Sequence, residues 1–168
     1  MNHIHYLKEF NDAKSQLDTG FLDKKQMEAA VGVWLKSVAL KLYKQTWING
    51  PDLSQSKSSI FFSVWVNDEG IKANKIFYNI HALKLRNLNG YSLTSREFAA
   101  AFRTKFKAVE AHWPNVSIDY GPLTLMEGWT KLNEASLQKD IVELANNFIK
   151  IDYMIDDILA GYKKPVIK

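Results

Sequence analysis

Apolar residues recur along this chain with two different periods, and the change between them separates helical from extended segments. Tyr6, Phe10, Ala13 and Leu17 follow one another at spacings of four, three and four, which puts them on one face of a helix. Thr19-Gly20 supplies its stop. Asp23 and Gln26 then stand at capping-box spacing. They predict a second helix through Met27, Val31, Trp34, Val38 and Leu42, with Val33, Leu40 and Trp47 as a second stripe. A helix apolar on two sides is expected at the centre of a core. Residues 49–59 are rich in serine around Gly50-Pro51, and read as a polar loop.

Beyond that loop the pattern changes. Ile60 to Val66 is β-branched and aromatic, Asn67-Asp68-Glu69-Gly70 is turn chemistry, and Ile76 to Leu85 is the returning strand. The expectation is an antiparallel hairpin near residues 59–86, with cover on at least part of both faces because both carry large apolar groups. A helix through Ile76, Ile80 and Leu83 is the competing reading.

The clearest local signal follows. Thr94-Ser95-Arg96-Glu97 has the spelling of a capping box, and Leu93 and Phe98 occupy the positions of a hydrophobic staple. Phe98, Phe102, Phe106 and Val109 form the buried stripe of that helix, and Trp113-Pro114 ends it. Short extended pieces are expected around Val116–Tyr120 and Leu123–Met126. A long C-terminal helix near 136–160 carries Leu137, Ile141, Leu144, Phe148, Ile151, Ile155 and Ile158 at alternating spacings of four and three. Three such heptads can make a coiled-coil seam, and so a homodimer, or the core face of a bundle helix. The expected fold class is α+β, with about four helices packed against a small antiparallel sheet. At 168 residues the chain has the length of one domain of roughly 100–200 residues.

Composition narrows the chemistry. There is no cysteine, so disulfides and thiolate catalysis are excluded. The N-terminal residues lack a continuous apolar run, and no window approaches the ~20 apolar residues of a membrane span. A cytoplasmic location without membrane contact is therefore the expectation, and Asn115-Val-Ser117 spells a glycosylation site without that setting. Neither a Gly-x-Gly-x-x-Gly run nor a Walker A run nor a Gly-x-Ser-x-Gly elbow occurs. His3-Ile4-His5 sits at a terminus, no His-Glu-x-x-His pattern occurs, and Asp156 and Asp157 fall on different helical faces. No metal and no cofactor are expected.

Charge is uneven. Residues 71–108 carry eight cations against Glu97 alone, whereas residues 109–160 carry nine carboxylates against three lysines. Such asymmetry marks either an anion-binding face or two halves of one domain that balance each other. Arg96, Arg103 and Lys107 share one face of the capped helix, and Lys84 and Arg86 lie just before it. They make a candidate patch in residues 72–107 for a protein partner or a nucleic-acid backbone, without sequence readout. The second candidate is Asn79 and His81. On a strand, period two puts them side by side with Phe77, Leu83 and Leu85. Polar groups on an apolar face need partners, which are either each other and the backbone or a ligand. Two function classes follow: a non-enzymatic binding module, or a small enzyme on an anionic substrate with His81 as acid or base and Lys84 or Arg86 holding the anion.

Overall fold

The computed structural model describes residues 1–165. Five antiparallel strands form one sheet in sequence order. They are β1 (Met27–Trp34), β2 (Ser37–Lys44), β3 (Ser59–Val66), β4 (Lys75–Leu83) and β5 (Thr124–Lys131). Four longer helices pack on one side: α1 (His3–Ser15), α4 (Ser95–Phe106), α5 (Leu137–Ile149) and α6 (Tyr153–Ala160). Two six-residue helices, α2 (Thr19–Lys24) and α3 (Asp68–Ala73), lie in the connections. The α+β class, the β3–β4 hairpin and the long helical C-terminus all stand.

One expected element is different. The second helix does not form; its residues make the β1–β2 hairpin, turning at Leu35 and Lys36, both at positive φ. Met27, Ala29, Val31 and Val33 alternate with the same precision as Val38, Leu40 and Leu42, so the segment satisfies a period of two as well as a helical period. Gly32 and three valines lower helix propensity, and the pairing of β2 with β3 decides the outcome. The turn hid because a two-residue hairpin loop with both residues at positive φ normally spells Asn-Gly, not Leu-Lys. The helix reading for residues 76–83 likewise gives way to β4.

The turn residues after β3 form α3, with Asn67 capping the Gly70 amide and Asn74 closing the helix in the left-handed region. At the start of α4 the Thr94 hydroxyl accepts from the Glu97 amide at 3.1 Å, and Leu93 and Phe98 are buried as the staple requires. Glu97 accepts a hydrogen bond from the Thr94 hydroxyl at 3.0 Å, and so completes the box with the side chain instead of the amide. The C-terminal helix breaks at Lys150–Asp152 into α5 and α6. Each residue of its heptad stripe is buried in the chain's own core. The break lets Asp152, 2% exposed, turn inward to two lysines.

The sheet has two unlike faces. Val38, Leu40, Leu42, Ile60, Phe62, Val64, Ile76, Tyr78 and Ile80 point to the helices and are buried. There Phe62 stacks on Phe148 of α5, with ring centroids 4.6 Å apart. The opposite face is left largely open: α3 lies at one end, where Gly70 meets the Phe77 ring, and the 117–123 segment reaches His81 and Glu127 from the side of β5. Cover on at least part of both faces was expected, and both have it: the four longer helices on one, α3 and the 117–123 segment on part of the other.

Candidate functional site

The strand register builds three rows across the open face. Asn79 pairs with Ser63 and with Glu127, and Ser63 with Lys41, so one row is polar. Trp65, Phe77 and Trp129 make an aromatic row on one side of it. Phe61 and His81 flank it on the other. A cavity of about 350 Å³ opens here, with Trp34, Lys41, Phe61, Ser63, Asn79 and His81 in its wall.

The sequence placed Asn79 and His81 side by side, and so does the fold. Asn79 Nδ2 lies 3.0 Å from His81 Nε2 and 3.1 Å from Glu127 Oε1. A carboxylate only accepts, so the amide nitrogen must face Glu127, and the Asn79 orientation is fixed. The same nitrogen then donates to His81 Nε2, which leaves the imidazole proton on Nδ1, 3.2 Å from the Leu123 carbonyl. Burial lowers the His81 pKa, against the opposing pull of the Leu123 carbonyl and Glu127. The ring is held neutral in one tautomer. Tyr120 donates to Glu127 Oε2 at 3.4 Å and closes the network on the far side.

One atom is left over. Asn79 is 2% exposed, and its Oδ1 is buried without a donor. Its Nδ2 is committed toward His81 and Glu127, and Oδ1 is closed off from solvent. An acceptor stranded in this way costs about 1–3 kcal/mol.

Lys41 supplies the matching anomaly. Its Nζ sits 4.2 Å from the Trp34 ring centroid and 4.6 Å from that of Phe61. It forms no ion pair among the described residues. Burial without a counter-charge pushes its pKa down to about 8. The aromatic faces attract the cation but do not replace its lost hydration. Because the folded pKa lies below the unfolded one, the unfolded chain binds more protons between about pH 8 and 10, and stability rises with pH in that window. The melting temperature of the native protein should climb from pH 7.5 to 9.5 relative to that of Lys41→Met. Parallel curves for the two proteins would contradict a desolvated Lys41.

The basic residues fall in three places. Lys84, in the left-handed region, lines a second cavity of about 520 Å³ together with Arg86 and Arg96. Arg103 is turned inward: Nε donates to the Leu125 carbonyl, and Nη2 to those of Tyr120, Gly121 and Thr124, at 2.8–3.2 Å. It therefore shapes the loop that brings Leu123 to His81. Lys107 is exposed at the far end of α4. Among the described residues, no side chain of 72–107 forms an ion pair with the acidic segment that follows; Lys25 and Lys44 do.

Lys41, Ser63, Glu127 and Trp34 escaped sequence reasoning. Lys41 and Trp34 were assigned to a helix, and Ser63 to an apolar strand. The alternation Ala39-Lys41-Tyr43 against Val38-Leu40-Leu42 was the signal that could have found Lys41. No protein-family model, no curated protein and no solved structure matches the chain.

Proposed function

We propose that this protein is a non-enzymatic binding module whose ligand site is the open sheet face around Lys41, Ser63, Asn79 and His81. The observation that carries the reading is the Lys41 ammonium in the wall of a cavity, set against the Trp34 and Phe61 rings and without an ion-pair partner among the described residues. Binding sites are concave, mostly apolar and furnished with a few fixed polar groups, and this face has that composition. Aromatic rings provide the area, while the Asn79–His81–Glu127 network fixes the polar side of the wall before any ligand arrives. The reading retains a cytoplasmic setting; among the described residues, no helix is long and apolar enough to cross a membrane.

His81 fits this role better than proton transfer, because both of its ring nitrogens already have partners in the protein. The enzyme reading, with Lys84 or Arg86 holding an anionic substrate, would need those partners to give way, and those cations line a different cavity from His81. A second binding reading rests on Lys84, Arg86 and Arg96, which share a cavity and have no carboxylate partner among the described residues. There an anionic backbone would bind with steep salt dependence.

Tryptophan emission separates the faces. Trp34, Trp65 and Trp129 are on the open face, whereas Trp47 and Trp113 are buried in the core. The planar, uncharged 4-hydroxybenzamide should quench native emission saturably. The response should persist in Trp47→Phe and largely disappear in the double variant Trp34→Phe, Trp65→Phe. An undiminished response in the double variant would refute an open-face site. Saturable, salt-sensitive binding of a single-stranded oligonucleotide, lost on neutralising Arg86 and Arg96, would favour the second reading.

A further inference from the structure

Resting on the open-face reading, we infer that Lys41 is a covalent attachment point, whose amine condenses with an apolar, planar aldehyde to form an imine. The side chain is half-buried and lines the cavity. Its Nζ has no carboxylate within ion-pair distance among the described residues, whereas Lys44 on the same strand is bound to Asp152 and Asp156. The acidic groups of the open face are engaged elsewhere: Glu127 receives Asn79 and Tyr120, and Glu28 receives Gln45. His81 has both ring nitrogens partnered and is held neutral. Nothing on the face therefore holds the proton on Lys41, and burial brings its pKa down to about 8. A desolvated lysine in an apolar pocket is the form of this side chain that acts as a nucleophile toward carbonyl carbon.

The chemistry needs no further reactant. The Nζ lone pair attacks the carbonyl carbon, the C–N bond forms, and the carbonyl π pair moves onto oxygen. One proton passes from nitrogen to that oxygen and gives the carbinolamine. The C–O bond then breaks, the oxygen leaves as water with a second proton from solvent, and nitrogen returns its last proton to solvent. Amine and aldehyde become imine and water. An imine is a weaker base than its parent amine, so the product removes an uncompensated charge from an aromatic-walled space. The ring contacts set the class of aldehyde. Nζ lies 4.2 Å from the Trp34 ring centroid and 4.6 Å from that of Phe61. A carbon joined to it by a bond of about 1.5 Å or less stays beside those rings, where a flat apolar substituent packs best. Lys41 is the one cation in the cavity wall, so an aldehyde that also carried a phosphate would find no second positive group there.

Benzaldehyde with cyanoborohydride, which reduces an imine to a stable amine, tests this on the full-length native protein, with peptide mass spectrometry to locate the label. At pH 7.5 Lys41 should be labelled about ten-fold or more faster than any exposed lysine, because a lower pKa leaves far more of it as free amine. Its rate should saturate with benzaldehyde concentration and level off above about pH 8, while Lys44 stays unlabelled. The preference for Lys41 should vanish in urea, where the cavity is gone. Labelling of Lys41 no faster than that of exposed lysines, or a preference that persists in urea, would overturn the inference. If 4-hydroxybenzamide still quenched the open-face tryptophans in that case, the binding site would stand without the covalent step. Absence of both labelling and quenching would remove the inference together with the reading beneath it.

Discussion

Phe62→Ala should lower the free energy of unfolding by about 3–5 kcal/mol, as measured by urea denaturation. Phe62 is fully buried on the helix-facing side of β3. Its ring stacks on Phe148 with an interplanar angle of 5°, meets Trp113 edge-on at 5.9 Å and lies 6.4 Å from Tyr78. Truncation removes the transfer energy of one aromatic ring and leaves a cavity between α5 and the sheet that three large rings cannot collapse to fill. A typical domain is stable by only ~5–15 kcal/mol, so this single change removes about a fifth of that or more. The adjacent Phe61 lies on the other face beneath Lys41, and its truncation should cost less and weaken ligand binding instead. A loss below about 1 kcal/mol for Phe62→Ala would mean that the stacked rings are not the centre of the core.

The second large effect belongs to a buried charge cluster. Lys44 Nζ lies 2.8 Å from Asp152 Oδ2 and 2.5 Å from Asp156 Oδ2. Asp152 receives Lys25 on its other oxygen at 2.8 Å, and Asp156 Oδ1 accepts from the Trp47 indole at 2.8 Å. Lys44 is nearly inaccessible, and burial works against its charge, yet the two carboxylates raise its pKa above the ordinary value. Lys44→Met strands Asp152 with one partner in a place that water does not reach, at an expected cost of about 3–5 kcal/mol. Adding Asp152→Asn should recover part of that loss, since most of it is the penalty of the abandoned carboxylate. Strict additivity of the two variants would show that the cluster is solvated and contributes little. Because Lys44 binds its proton more tightly when folded, its stabilisation is complete below about pH 10 and is lost as pH rises through its folded pKa.

Lys41 and Lys44 sit three residues apart on one strand and titrate in opposite senses, and the reason is register. Lys44 is on the helix-facing side and meets Asp152 and Asp156; Lys41 is on the open side and meets only rings. No sequence pattern separates them without the strand assignment of residues 37–44. The β3–β4 hairpin was legible because its apolar residues are β-branched and its connection is polar. Helix α4 was legible because the cap and the staple agree with the Phe stripe. The C-terminal stripe was legible as a helix, whereas its break at Asp152 depends on Lys25 and Lys44, more than a hundred residues away in sequence.

The candidate site divides in the same way. Asn79 and His81 could be paired from period two alone, because both lie on one strand. Their partners Glu127, Ser63 and Lys41 come from three other strands, and cross-strand register is a non-local property. Charge was less informative than it looked. Arg103 belonged by spacing to a surface stripe, but four backbone carbonyls claim it, and the basic stretch is not balanced by direct pairing with the acidic one.

Two-dimensional amide spectra of the protein titrated with 4-hydroxybenzamide test the open-face site most directly. The side-chain amide of Asn79 and the indole N–H groups of Trp34 and Trp65 should shift furthest, along with the backbone amides of β2, β3 and β4 around Lys41, Ser63 and His81. The indoles of Trp47 and Trp113 should stay still. Shifts gathered instead around Lys84, Arg86 and Arg96, with Asn79 silent, would contradict the open-face site and move the binding function to the basic cavity.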